Sequence, residues 1–503
     1  MFEPKNRRET ILVLGLLLIV LLVNLATALR YPAVWMDEAM YTDPAANLVM
    51  GNGFTSTAWY DQTSDRFWAG NTPLHELILS GWIKFFGFSP LSVRAINYIW
   101  LVLGAFLVWR FCVHFRYVEK TALRLLLIVL LATGSAVSFS YRSGRPDMIG
   151  FFLVTLALFM TVVQKNSVRH LCLFSIGILF PWAGLQLLPF LAIATVLVLV
   201  FWGIRAALNG VSIGLGAGIG LLMLYFFYQS HHVWHDFVAS VTRHTTGSAS
   251  AAYGHGRISA IPDVFIRDHS APFLLALGML LLIQTWQARD AVAKKIVLFA
   301  LGLGICIPLG MHFGGIFPIY YGWMSALPTT IVLCDVMSRR PLNPLWMKVS
   351  AILLLSGAIA IGLPSRLLVA ALRTNETSYA AVEQFASTQL KASDNAYIDY
   401  AAFYPAMHKA KKVFFQRYME NAMTPEEKKS VTVLVVDPGH LYVTNSFTGN
   451  WRLTAELKDD TGQSSLPAFL VKYLQSPRIK SVYFAYHLAV YRKIADDHSQ
   501  PFQ

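Results

Sequence analysis

Trp35-Met36-Asp37-Glu38-Ala39-Met40-Tyr41 sets two adjacent carboxylates a few residues beyond the first long apolar run, 11–29. Ionisable groups are expensive beside a bilayer, so a pair just outside a membrane-spanning helix implies a task for them. Around this stretch, 503 residues are 55% hydrophobic and only 14% charged. A soluble globular chain carries about 25% charged residues. The composition therefore predicts a polytopic α-helical membrane protein and excludes an ordinary soluble domain. A formal net charge of +13 would suit nucleic acid, but Lys and Arg lie mostly between apolar runs, where membrane topology accounts for them. No nucleic-acid partner is expected. Cys112, Cys172, Cys306 and Cys334 lie in or beside apolar runs with no zinc-type spacing, so neither a disulfide framework nor a thiolate metal site is expected. The basic start (Lys5, Arg7, Arg8) and the length of run 11–29 favour an uncleaved first span over a signal peptide.

A span takes about 20 apolar residues. About eleven transmembrane helices are expected, over 11–29, 91–111, 123–141, 147–164, 171–183, 187–204, 211–229, 271–287, 295–312, 317–337 and 346–364, the fifth short and broken by Pro181. With the N-terminus inside, every inner connector is basic, from Arg116/Lys120/Arg124 to Arg339/Arg340/Lys348. An odd number of spans then places 30–90, 230–270 and the tail outside. The expected organisation is a transmembrane module, 1–365, and a small extracytoplasmic α/β domain, 366–503. In that domain, 431–436 and 480–484 read as buried strands, 466–474 has helical periodicity, and Thr424-Pro425-Glu426-Glu427 reads as a capped helix start. Within 30–90, the stretch 74–88 is too short and polar to span, and its apolar residues at helical spacing predict an interfacial helix.

Four groups could carry chemistry. For Asp37-Glu38, the bland reading is a solvated loop start or a helix cap. Flanking Trp35 and Tyr41 point instead to the interface, where water is scarce and a carboxylate becomes a better base. Tyr141-Arg142-Ser143-Gly144-Arg145-Pro146-Asp147 puts two arginines on the outer side, against the positive-inside trend. Guanidinium matches phosphate oxygens bidentately, so Arg142 and Arg145 are candidate phosphate ligands, while helix capping suffices for Asp147. The outer loop 230–270 carries Arg243, His244 and Arg257 and a His231/His235/Asp236 group. It reads as a phosphate-facing lip, a plain surface loop or, least, a metal site. Tyr320 and Tyr321 join two spans on the outer side, as a membrane belt or the wall of a sugar site.

Trp35 to Tyr41 continues through Asn71-Thr72-Pro73-Leu74, Phe86-Gly87-Phe88-Ser89-Pro90-Leu91-Ser92-Val93-Arg94 and Arg145-Pro146-Asp147. This series resembles the GT-C class of membrane glycosyltransferases, and within it the protein O-mannosyltransferase and aminoarabinose (lipid A) transferase superfamily, whose donors are polyprenyl-phosphate sugars. The likeness covers residues 1–210 well and the later spans by pattern. It implies inverting transfer of a sugar to a protein, lipid or glycan acceptor on the outer face of a bacterial inner membrane. Asp37 would be the general base and Arg142 or Arg145 would hold the leaving phosphate, with help from Arg243, His244 or Arg257. Glu38, Asp61, His75 and Asp147 would orient acceptor or sugar. Where aminoarabinose transferases tend to show Glu-Lys-Pro-Pro-Leu, this chain has Gly70-Asn71-Thr72-Pro73-Leu74. A phosphate-binding lysine and a metal-ligand carboxylate are thereby missing, so a divalent metal is possible but not favoured and no cofactor is required. A transporter or flippase of lipid-linked sugars is the alternative. It would not explain a long first outer loop with paired acids, and no internal repeat of the transporter kind is seen.

Overall fold

A computed structural model describes residues 7–246, 256–267, 269–316, 319–372, 378–439, 445–447, 449–457 and 486–494. The strand expected at 480–484 and the helix expected at 466–474 lie outside the described residues. By packing, the chain forms two units. One comprises 1–26, 71–75 and 94–367, and the other 27–70, 76–93 and 368–503.

Among the described residues each of the eleven apolar runs is mainly helical, the third, tenth and eleventh in two pieces each. Among the described residues, Arg7–Thr27, Pro90–His114, Ile204–Ser230 and Ala291–Phe313 are long and apolar enough to cross a membrane, and six spans result if two bent pairs are each counted as one. The expected eleven spans are thus not established by length and composition. Asp147–Met160, Leu187–Trp202 and Leu345–Ala360 have 14, 16 and 16 residues, and at 1.5 Å per residue they fall short of a hydrocarbon core of about 30 Å. The apolar surface nonetheless makes this an integral multi-pass protein. Arg7–Thr27 turns Ile11, Leu12, Leu18 and Ile19 outward, each more than half exposed, a surface suited to lipid rather than water.

Two expectations are corrected. The helix Asn166–Ala183 runs through Pro181 and stops at Gly184. Proline there removes one backbone bond, a loss that membrane helices tolerate. The run 123–141 is not one straight helix: Thr121–Thr133 and Ser135–Arg142 meet at a 53° bend at Gly134. The bend carries Arg142 to the end of a separate short helix.

Close packing fixes the frame behind the site. A Cβ on Gly216 would collide with the Phe174 carbonyl and one on Gly220 with the Ile178 carbonyl, so Asn166–Ala183 and Ile204–Ser230 meet backbone to backbone through small residues. At the other end of Arg7–Thr27, Glu9 accepts from Arg124 Nε and Nη2 at 2.5 Å each and from Trp109 Nε1 at 2.8 Å. This buried cluster ties the first helix to Pro90–His114 and Thr121–Thr133.

The second unit contains a five-stranded mixed sheet of β1 (Asn395–Ile398), β2 (Lys412–Phe415), β3 (Val433–Val436), β4 (Trp451–Leu457) and β5 (Leu488–Lys493), in the order β2-β1-β3-β5-β4. β1 pairs in parallel with β2 and β3, and β5 runs antiparallel to β3 and β4. Every residue of the Val-Leu-Val-Val strand β3 is buried, as a continuous apolar run in a central strand covered on both faces requires. The helix Pro425–Ser430 begins with the capping box read from the sequence: Thr424 Oγ1 accepts from Glu427 N and Glu427 Oε2 from Thr424 N. The amphipathic helix expected within 74–88 is Leu74–Phe86, with Leu79 and Ile83 buried and Phe85 and Phe86 exposed.

Candidate active site

Six candidate site residues of the first unit, His75, Arg142, Arg145, Asp147, Tyr320 and Tyr321, gather around one connector. After the short helix Ser135–Arg142, Gly144 turns the chain with φ of 67°, and Arg145-Pro146 leads into the helix Asp147–Met160. A positive φ is the conformation glycine adopts most easily. Asn97 Nδ2 donates to the Arg145 carbonyl at 2.8 Å and holds the turn. Arg142, Arg145 and Asp147 are all buried. Arg145 Nε donates to Asp147 Oδ2 at 2.8 Å, and its guanidinium carbon lies 3.5 Å from the Tyr320 ring centroid and 5.9 Å from that of Tyr321. Asp147 also stands in the first turn of its helix, where the helix dipole favours an acid. Arg142 Nη1 donates to Asn24 Oδ1, and its guanidinium lies 5.8 Å from the Tyr98 ring centroid. Ser140 donates to the Tyr320 carbonyl and fixes the aromatic platform.

His75 belongs to the same unit. Tyr228 donates its hydroxyl to the Asn71 carbonyl at the start of the segment 71–75. The His75 ring is buried, with no hydrogen-bond partner for Nε2 among the described residues. Burial, and then the positive charge of Arg145, lowers its pKa to about 3, so the imidazole is neutral at neutral pH. The structure therefore brings His75, Arg145, Asp147, Tyr320 and Tyr321 together, with Arg142 on the same connector. Arg243 sits half-buried on the helix Trp234–Thr246, and His244 shares that helix although its side chain lies outside the described residues. Arg257 is exposed; its carbonyl accepts from His312 Nε2 at 3.2 Å. Among the described residues, no group of three or more His, Cys, Asp or Glu is placed to hold a metal ion.

In the second unit, Asp37 and Glu38 occupy the first turn of the helix Met36–Val49, which follows the extended residue Trp35. Neither is the cap residue itself. Asp37 is half-buried and Glu38 fully buried. Glu38 Oε1 accepts from the hydroxyl of Tyr404, on the helix Phe403–Lys409, at 2.8 Å. Asp61 is an exposed turn residue with φ of 55°.

Two buried acids of this unit escape a reading by motif. Asp43 accepts from Ser56 Oγ (2.7 Å), Thr57 N (3.0 Å), Ala58 N (3.3 Å) and Asn47 Nδ2 (3.2 Å), pinning the loop after the helix. Burial outweighs these donors and raises its pKa to about 6 from 3.8. A group whose pKa rises on folding contributes stability below its unfolded value and loses it as pH passes its folded value. At about 1.4 kcal/mol per pKa unit, this unit should lose roughly 3 kcal/mol between pH 4 and pH 7 through Asp43. Asp43→Asn should flatten that part of the pH dependence of thermal unfolding in detergent; an unchanged slope would refute it. Glu76 is fully buried with neither carboxyl oxygen partnered among the described residues, and burial raises its pKa well above the usual range. Glu76→Met, similar in size and apolar, should stabilise the protein by about 1–3 kcal/mol, read as a higher unfolding temperature.

No family model matches the chain, and no curated protein matches it in sequence. Among solved structures, it is similar to ArnT from Cupriavidus metallidurans bound to undecaprenyl phosphate, with TM-score 0.62 and 13% identity over 97% of this chain and 98% of that one. The apo state of the same ArnT gives TM-score 0.57 at 13% identity, with the same coverage. Arabinofuranosyltransferase AftD from Mycobacteria is more distant, with TM-score 0.45 and 12% identity over 96% of this chain and 40% of that one. The fold is that of ArnT.

Proposed function

We propose that the chain is an inverting glycosyltransferase that moves a sugar from a polyprenyl-phosphate donor to an acceptor on the outer face of a bacterial inner membrane. The observation that carries this reading is the Arg142–Asp147 connector, with two buried arginines, one stacked on Tyr320 and bonded to Asp147, in a chain with the fold of ArnT. Undecaprenyl phosphate bound to ArnT lends support, since such a lipid phosphate is the leaving group this chemistry releases.

In the proposed step, Asp37 takes the proton of the acceptor group as its lone pair forms a bond to the anomeric carbon. The bond from that carbon to the donor phosphate oxygen breaks, its electron pair leaves with the phosphate, and configuration inverts. Arg145 and Arg142 balance the charge on the departing polyprenyl phosphate, aided by Arg243, His244 or Arg257, and Tyr320 and Tyr321 wall the sugar. Oriented cations of this kind stabilise the transition state where charge develops. Glu38, Asp61, His75 and Asp147 orient acceptor or sugar. Phosphate is already a good leaving group, so the step requires no metal.

The test pairs two measurements. Mass spectrometry of lipids and envelope glycans from cells lacking the protein should show a glycan short of one sugar and an accumulated polyprenyl-phosphate sugar. Purified protein in liposomes should move label from that lipid to the glycan acceptor. Passage of intact lipid-linked sugar across the bilayer without transfer would replace this reading with a flippase.

A further inference from the structure

The helix Arg7–Thr27 is apolar over most of its length, yet Asn24 is almost wholly buried within it. A polar group in a membrane helix is costly and is kept where it has work to do. Both ends of its amide are engaged, and the partners leave one orientation. Nδ2 donates at 2.7 Å to the Val20 carbonyl, which can only accept. Oδ1 accepts from Arg142 Nη1, which can only donate. Asparagine is the short side chain that serves both without adding charge: aspartate cannot donate to Val20, and leucine can serve neither.

We propose that Asn24 is a positioning residue, which orients the Arg142 guanidinium toward the phosphate of the donor without placing a negative charge beside it. This rests on the glycosyltransferase reading above. A neutral acceptor spends one N–H of the fork on orientation, and the Tyr98 ring 5.8 Å away limits the guanidinium on a face. A carboxylate at the same place would compete with the phosphate for Arg142. The Glu9 cluster fixes the other end of the same helix, so Asn24 is presented from a held element rather than a loose one.

The experiment uses the full-length protein in detergent, with two probes, a polyprenyl phosphate and the polyprenol of the same chain length. Asn24→Leu should weaken polyprenyl phosphate binding about 10-fold and leave polyprenol binding within 2-fold. Asn24→Asp should weaken polyprenyl phosphate at least as much, with an unfolding temperature above that of Asn24→Leu, since it keeps an acceptor for Arg142. The Asp variant therefore keeps the test decisive should the Leu variant fold poorly. Wild-type affinity for polyprenyl phosphate in Asn24→Asp overturns the proposal. Equal losses for both probes overturn it too, because a merely structural residue gives that pattern. A wild-type protein with no affinity for polyprenyl phosphate defeats the glycosyltransferase reading itself, and the inference with it.

Discussion

Asp37→Asn is expected to fold as wild type, to bind donor with an unchanged KM, and to transfer sugar about 10²–10⁴-fold more slowly, the range that general-base assistance supplies. Asparagine matches aspartate in shape, and loss of the charge from the first turn of the helix Met36–Val49 costs only about 0.3–1 kcal/mol. What it lacks is a place for the acceptor proton. A loss confined to kcat would mark an interaction made only in the transition state. Glu38, assigned an orienting part and not the proton transfer, is the comparison. Its carboxylate is buried and accepts from Tyr404 at 2.8 Å, and Glu38→Gln keeps an oxygen for that hydroxyl. Glu38→Gln should therefore retain most activity, while Asp37→Asn should not. Transfer by Asp37→Asn at near wild-type rate, measured with labelled donor, would remove Asp37 from the chemistry. The reverse ranking of the two variants would make Glu38 the base.

Features carried by neighbours in the chain were legible in the sequence, and those carried by distant partners were not. The capping box at Thr424 rests on residues three apart, and the described residues of the apolar runs are mainly helical. The number of spans was harder, because hydropathy reports a run's apolar character while a span also needs length, and several of these helices have 13 to 16 residues. The bend falls at Thr133-Gly134-Ser135, a Gly-Ser pair of the kind at which helices kink, which hydropathy averaged over the run does not report. The arginine connector was visible as two cations against the positive-inside trend. Its supports, Asn24 and Asn97, are single amides whose roles depend on contacts 118 and 48 residues away. Asn24 did leave a trace, as a lone amide in the first apolar run. Tyr404 left none, being one tyrosine among 21 and 366 residues from the glutamate it holds. Asp43 and Glu76 show the same limit: an acid's burial is set by what folds over it.

Arg145→Lys should lower transfer by about 10²–10³-fold, the usual effect of removing one preorganised donor to a developing anion, even though it keeps the positive charge. The reason is shape. Arg145 meets three demands with one planar group: Nε donates to Asp147 at 2.8 Å, one face lies 3.5 Å from the Tyr320 ring centroid, and further N–H groups share the same rigid fork. An ammonium is a point charge on a flexible stem and cannot pair with Asp147, pack flat on Tyr320 and present a bidentate edge to phosphate together. Arg145→Ala is the poorer experiment. It strips Asp147 of its guanidinium partner inside a buried site, a change that costs about 3–5 kcal/mol of stability, so lost activity would report lost fold. Tyr320→Leu separates the parts. It removes the stacking face, worth about 2 kcal/mol when desolvated, but leaves the Asp147 bond, so its activity should fall between wild type and Arg145→Lys. Donor titrations of the three proteins check the order. A lysine variant as active as wild type would mean that only charge is read at this position. Asp147 and Tyr320 would then be holding an arginine whose geometry the reaction does not use.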